Sequence, residues 1–232
     1  MPISYQAFPL GDSAIMLKFG QSISPAINKK IHLACTMIEQ ANFPFVRDIV
    51  PAFTTLTIHY EPFHFDSIHP YKKMEDLIAG VLLKEESNIQ GEQRQIEIPV
   101  CYHSKFALDL EELSINKQLS KDEIIEAHIS PVYSVYFIGF SPGFPFLGPV
   151  DKKIASPRKT NPRILVPKGS VGIVGSQTGI YPVSSPGGWQ IIGRTPIDLF
   201  NLEDSPPVKL TPGMDVKFYP ITLEEFENWR ED

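Results

Sequence analysis

Pro162 to Pro182 reads PRILVPKGSVGIVGSQTGIYP, and this stretch decides the class of fold. Two short apolar runs, RILVP and SVGIVG, are each cut off by proline or glycine before they reach helical length. Glycine reaches backbone angles closed to other residues, and proline fixes φ and removes a donor, so such a chain is committed to particular turns. The same grammar continues on both sides, in VYSVYFIGF (Val132 to Phe140), GWQIIG (Gly188 to Gly193), DLFNL (Asp198 to Leu202) and VKFYP (Val216 to Pro220). Short, evenly spaced strands punctuated by turn residues predict a β-barrel.

The same region is basic in an acidic protein. From Asp151 to Phe200 there are seven Lys or Arg against two acids, while the 232-residue chain carries a formal charge of −6. Local positive charge among glycines that let a ligand approach backbone N–H groups argues for an anionic ligand, a phosphate or a carboxylate. Lys152, Lys153 and Lys159 read as solvated loop lysines. Arg163, Lys168 and Arg194 each lie beside Pro or Gly in a strand or turn context, where a long side chain is more easily aimed. They are the candidate anion ligands.

GFSPGFPFLG (Gly139 to Gly148) places Pro142-Gly143 at the centre of a type II turn. Phe144 and Phe146 on that turn are expected to form a rigid contact platform for a partner. Trp189, at the exit of the Pro186-Gly187-Gly188 turn, is expected to offer its indole to a ligand. A hydrolase with its own nucleophile needs Ser, Cys or Thr with His and a carboxylate in reach. Between Pro131 and Phe200 there is no His, Cys or Glu. His128 reads as a capping or packing histidine, and His59, His64 and His69 fit no metal-ligand spacing, so no metal site is assigned. The barrel surface therefore either binds without chemistry or supplies part of a site completed by another chain.

Upstream, the pattern changes. AIMLKF (Ala14 to Phe19) alternates as a strand, Ser24-Pro25 caps a helix running to about Gln40, and two strands, Phe45 to Val50 and Thr54 to Tyr60, precede a helix from about Ser67 to Glu86. This order predicts a small α+β sandwich, ferredoxin-like in character, over residues 1–88. The polar stretch SNIQGEQRQ suggests a linker at 89–95, and IEIPV opens a second domain over 96–232. Ser120 with Glu123 forms a capping box ahead of a helix through about His128, and ITLEEFENWRED closes the chain as a short helix.

Hydrophobic content of 42 % is that of a globular protein. No segment approaches the apolar length of a membrane span and there is no leader-like start, so no membrane partner and a cytoplasmic location are expected. Net negative charge disfavours nucleic acid as a partner. Cys35 and Cys101 suggest neither a disulfide nor a zinc site.

GFSPGFPFLG, SPRKTNPRILVPKGSVGIVGSQTGIYP and SPGGWQIIGRTP, with GDSAIMLKFG (Gly11 to Gly20) and DIVPAFTTLTIHYEP (Asp48 to Pro62) upstream, resemble the signature blocks of the KipI/PxpB family. The resemblance implies an N-terminal α/β domain, a C-terminal cyclophilin-like barrel and the role of B subunit in an ATP-dependent 5-oxoprolinase, a hydrolase that opens 5-oxoproline to glutamate. It also implies pairing with KipA/PxpC-type and PxpA-type subunits. An alternative role in the family is inhibition of a sporulation sensor histidine kinase. Under the enzyme reading Lys168 and Arg194 serve catalysis. Arg163, Gln177, Thr178 and Trp189 hold substrate or nucleotide, and Gly143, Gly187 and Gly188 admit close backbone contact. ATP with Mg is the expected cofactor, held mainly by partner subunits, and the chain alone is expected to be inactive. The loop CYHSKFALDL departs from the family pattern, keeping only Asp109 and Leu110, and Ser176 replaces a frequent glycine.

Overall fold

The computed structural model describes residues 3–83 and 94–230. The chain separates into two compact units, Met1–Glu92 and Gln93–Asp232. The 89–95 linker falls outside the described residues as far as position 93.

The first unit contains β1 (Gln6–Pro9), β2 (Ala14–Lys18), α1 (Pro25–Gln40), β3 (Val46–Pro51), β4 (Thr55–Tyr60) and α2 (Pro70–Leu82). Helix α1 starts where the sequence places it: the Ser24 hydroxyl accepts from the Ile27 N–H at 3.2 Å, and Pro25 occupies the first turn. The four strands lie in the order β1-β2-β4-β3, every pair antiparallel. Strand β4 thus sits between β2 and β3, which α1 connects as a split β-α-β unit, and the fourth strand is β1. A ferredoxin-like order results, with the last strand contributed from before the unit instead of after α2. Strand β1 is not announced by the sequence, because its residues are too exposed to alternate clearly. Helix α2 begins at Pro70, three residues later than expected, and its stripe of Met74, Ile78, Val81 and Leu82 is buried with Ile15, Leu17, Ile31, Ile38, Leu56 and Ile58.

The second unit adds β5 (Gln95–Cys101), α3 (Leu110–Lys117), α4 (Lys121–Ile129), β6 (Val132–Ile138), β7 (Pro145–Gly148), β8 (Arg163–Val166), β9 (Ser170–Val174), β10 (Gln177–Ile180), β11 (Ser185–Gly187), β12 (Gln190–Arg194), β13 (Asp215–Ile221) and α5 (Leu223–Glu227). Seven strands close into a barrel in the order β10-β7-β6-β13-β5-β12-β9, with the β9–β10 hairpin completing the circle. Only β5 and β13 run parallel, in the register Ile98 to Phe218. Inward residues such as Ile98, Val100, Val135, Leu147, Val171, Ile173, Ile192 and Phe218 fill the interior, as closed barrels of this size require.

Three expectations are corrected. Strand β8 is not a barrel stave: it pairs with β11 in a separate two-stranded ribbon, leaving Ile164 and Leu165 exposed. The run DLFNL forms no strand, only an isolated bridge from Phe200 to Val208. Gln95, placed in the linker, opens β5.

Candidate functional site

The organising residue of the barrel surface is Asp109, which stands at the N-cap of α3 and is 1 % exposed. Its N–H donates to the Ile191 carbonyl at 2.8 Å, and the Ile191 N–H returns a bond to Asp109 Oδ2 at 2.7 Å. The loop before α3 is thereby stitched to β12. The carboxylate also accepts both guanidinium nitrogens of Arg163, at 2.8 and 2.6 Å, and Lys159 Nζ at 2.8 Å. Burial alone would push this carboxyl up; the hydrogen bonds from Arg163, Lys159 and the Ile191 N–H outweigh it and hold the carboxyl below its ordinary value. Lys159 also reaches Glu112 at 2.9 Å. Two assignments change as a result. Lys159 is no solvated loop lysine, and the Arg163 fork is already occupied, so it is not a free anion ligand.

Lys168 and Arg194 do come together. Gly169 (φ +80°) turns the chain between β8 and β9, and a Cβ there would press on the Thr195 carbonyl and the Arg194 stem. Across this turn Arg194 Nε donates to the Lys168 carbonyl at 2.7 Å. The guanidinium lies 5.6 Å from the Phe106 ring and 5.9 Å from that of Phe226. Its two terminal nitrogens make no hydrogen bond among the described residues. Lys168 Nζ pairs with Asp198, both side chains being well exposed. Arg163 and Lys168 flank opposite ends of β8, so the three expected cations divide into one pair and one structural arginine.

Thr178 is fully buried inside the barrel, a correction to its expected role as a substrate contact. Its hydroxyl donates to the Gly172 carbonyl at 3.0 Å, so it accepts from His128 Nε2 at 2.9 Å. That fixes the Nε2–H tautomer and leaves His128 Nδ1 to accept from Tyr102 Oη at 2.7 Å. The Tyr133 hydroxyl closes the network on the His128 carbonyl at 2.7 Å, and the imidazole stacks on Phe218. Burial pushes the His128 pKa down to about 3. It is a neutral packing histidine. Gln177, the neighbour of Thr178, is half-buried and pairs with Val174.

The aromatic turn is real but faces inward. Phe144 donates its N–H to the Ser141 carbonyl at 3.1 Å and Gly143 takes φ +77°, as a type II turn requires. Phe144 itself is 1 % exposed, walled by Val166, Tyr181, Trp189 and Ile191. Its ring meets those of Tyr181 and Trp189 edge-on at 5.2 and 5.4 Å. Neither Phe144 nor Trp189 is an exposed platform, because each completes this small satellite core. Phe146 is half-buried and stacks on Phe137 at 4.4 Å. The exposed ring is Phe140, 68 % accessible at φ +67°. Gly187 and Gly188 admit protein instead of ligand: a Cβ on Gly187 would overlap the Tyr181 hydroxyl, and one on Gly188 would lie 2.9 Å from the Arg158 stem.

No group of three or more His, Cys, Asp or Glu suited to a metal occurs among the described residues. Asp109, the buried carboxylate of this surface, is committed to cations, so the residues described do not fit a Mg²⁺ site.

The profile of the family described as "Carboxyltransferase domain, subdomain C and D" matches residues 5–210. The chain belongs to this family. It is 42 % identical to the 5-oxoprolinase B subunit of Bacillus subtilis (strain 168), over 100 % of this chain and 99 % of that one. It is 35 % identical to the protein of the same name from Escherichia coli O157:H7, over 93 % and 95 % of the two chains. Among solved structures, that of TTHA0988 superimposes with a TM-score of 0.79 at 33 % identity, covering 90 % of this chain. The chain spans 40 % of that longer protein's length.

Asp109 is a residue of this surface that the sequence did not single out. The one signal was its retention in an otherwise divergent loop. The helix it caps was missed as well, because only Leu110 and Leu113 of LEELSINK are buried and two positions make no periodicity.

Proposed function

We propose that this chain is the B subunit of an ATP-dependent 5-oxoprolinase, contributing binding and positioning groups to the opening of the 5-oxoproline ring. The observation that carries the reading is end-to-end identity of 42 % with a 5-oxoprolinase B subunit. An unactivated lactam is a poor electrophile, and ATP, when bound, supplies the phosphoryl group that makes its oxygen a leaving group. Aimed cations are what a polypeptide adds to such a step. Arg194 meets the requirement best. Its Nε is fixed on the Lys168 carbonyl, its guanidinium lies near the Phe106 and Phe226 rings, and both terminal nitrogens are without a hydrogen bond among the described residues. The Lys168 ammonium is tied to the exposed Asp198, a pair of small net stability that an arriving anion can displace.

Among the described residues around Lys168 and Arg194, no nucleophile is paired with a base. The buried histidine is neutral and enclosed by Tyr102 and Thr178. We therefore assign the base and the Mg²⁺ ligands to KipA/PxpC-type and PxpA-type subunits, and the chain alone to inactivity. The greater length of TTHA0988 supports a unit of this kind working beside further domains. A cytoplasmic site fits the same reading; no described helix is long and apolar enough to cross a membrane.

The test is reconstitution. The three subunits together release glutamate and ADP from 5-oxoproline and ATP, and omission of this chain abolishes turnover. Undiminished turnover without it, or robust turnover by this chain alone, rejects the proposal.

A further inference from the structure

A polar groove of about 530 Å³ runs between α3 and the loop formed by residues 156–161, its walls including Glu112, Asn116, Lys117, Arg158, Lys159 and Gln190. Its charges are not balanced. Lys159 is spoken for, shared between Asp109 and Glu112, and that contact occupies the groove's one lining carboxylate. The buried Asp109 is in turn saturated by Arg163 and Lys159, so neither acid is left to neutralise the remaining cations. Those are Arg158, which makes no hydrogen bond or ion pair among the described residues, and Lys117, whose amine donates to the carbonyl of Ala155, the residue before the lining Ser156.

The position of Arg158 is built, not incidental. Lys159 N–H donates to the Gly188 carbonyl at 2.8 Å, which pins the loop to the turn before β12. The Gln190 amide donates to the Pro157 carbonyl at 3.1 Å, a second tie one residue ahead of Arg158. The Arg158 stem lies across Gly188 so closely that an added Cβ would come within 2.9 Å of its Cγ. A stem held at its base leaves the guanidinium fork less freedom to lose when it grips two oxygens.

We propose that this groove binds an oxyanion, the carboxylate or phosphate of a small molecule, with Arg158 as its principal ligand and Lys117 as a second cation. The geometry requires a compact anion, because the volume is that of a small-molecule site and the lining offers amides beside the charges. The site is separate from the Lys168–Arg194 pair, and only the choice of 5-oxoproline as a probe rests on the proposed function.

Isothermal titration of the purified full-length chain with sodium 5-oxoproline, sodium glutamate, ATP and inorganic phosphate, in a low-salt buffer free of other oxyanions, tests it. Saturable binding of at least one probe is expected, weakened tenfold or more by Arg158→Gln and less by Arg158→Lys. Gly188→Ala, which keeps the charge but displaces the stem, also weakens binding. Response to phosphate and ATP without the amino-acid carboxylates identifies a phosphate site, and the converse a carboxylate site. Failure of all four probes to bind, or binding undiminished in Arg158→Gln with an unchanged melting temperature, overturns the proposal. Since the readout is binding by one chain, either result is independent of whether the reconstituted complex hydrolyses 5-oxoproline.

Discussion

Arg163 meets Asp109 fork to fork across 54 residues of chain, Nη1 on Oδ2 at 2.8 Å and Nη2 on Oδ1 at 2.6 Å. The pair fastens the first residue of the β8 ribbon to the cap of α3, and through Ile191 to the barrel wall. Removing the carboxylate charge leaves two cations facing each other across a buried amide. Asp109→Asn is therefore expected to lower the unfolding free energy by roughly 2–4 kcal/mol, below the usual cost of breaking a fully buried pair because Arg163 and Lys159 keep some solvent. Urea denaturation of the two proteins at neutral pH measures it. A loss under about 0.5 kcal/mol would make the pair a surface ornament.

The same carboxyl sets an acid limb. Its folded pKa is depressed below the ordinary 3.8, so its contribution is fully present above that value and is lost as pH falls through the lower, folded one. The stability gap between the native protein and Asp109→Asn should stay flat from neutrality to about pH 5 and narrow below pH 4.

His128 predicts a second, higher limb. The unfolded imidazole takes its proton near 6.5, while in the fold burial lowers that to about 3. Between those values the unfolded chain binds one more proton, so stability falls on acidification, by at most about 1.4 kcal/mol per pH unit from this group. His128→Gln should flatten the slope between pH 6.5 and 4. Nitrogen NMR at pH 5 should find the native ring neutral with its proton on Nε2; a charged ring at that pH contradicts the Tyr102–His128–Thr178 chain.

Phe144 and Phe140 separate packing from recognition. Phe144→Ala opens a cavity among Tyr181, Trp189 and Ile191 and should cost about 3–5 kcal/mol of stability. Phe140→Ala touches an exposed ring and should shift stability by no more than about 0.5 kcal/mol. If the turn meets a KipA/PxpC-type subunit, Phe140→Ala weakens that complex by about 1–3 kcal/mol. Equal affinities for native and Phe140→Ala chains would move the interface elsewhere.

Arg194→Met and Lys168→Met test the cation pair. Each removes charge-assisted hydrogen bonds worth about 1.5–3 kcal/mol when made to an anion, so kcat/KM of the reconstituted complex should drop tenfold or more in each. Arg194→Lys should fail similarly, since an ammonium cannot hold the Lys168 carbonyl and an anion in one plane. Full activity in both methionine variants would remove these residues from the reaction.

Much of the architecture was legible because its signals are local. Ser24-Pro25 and the Ser120–Glu123 box mark helix starts by chemistry confined to one turn, and both caps form as read. The turn at Pro142-Gly143 was equally readable. What the sequence did not reveal depends on distant partners. Whether Phe144 points at solvent or at Trp189 is decided by residues 37 to 45 positions away, and nothing in GFSPGFPFLG encodes them. Lys159 reads like Lys152 and Lys153, and Arg163 like an open anion ligand; only the folded position of Asp109 shows that both are paired. Strand β8 carried the right composition but joins a ribbon, because pairing choice is a property of two strands and not of one.

The lone parallel pair, β5 with β13, also has a consequence for biosynthesis. Every other barrel strand leaves the ribosome between these two, so the wall stays open for the whole synthesis of the unit. Until residues 215–221 emerge, β5 and β6 each present an unsatisfied edge on which a neighbouring nascent chain can pair. Slow translation or premature arrest ahead of Asp215 should therefore yield aggregation-prone chains, whereas the first unit, with its described strands and helices complete by residue 83, has all of them in hand long before.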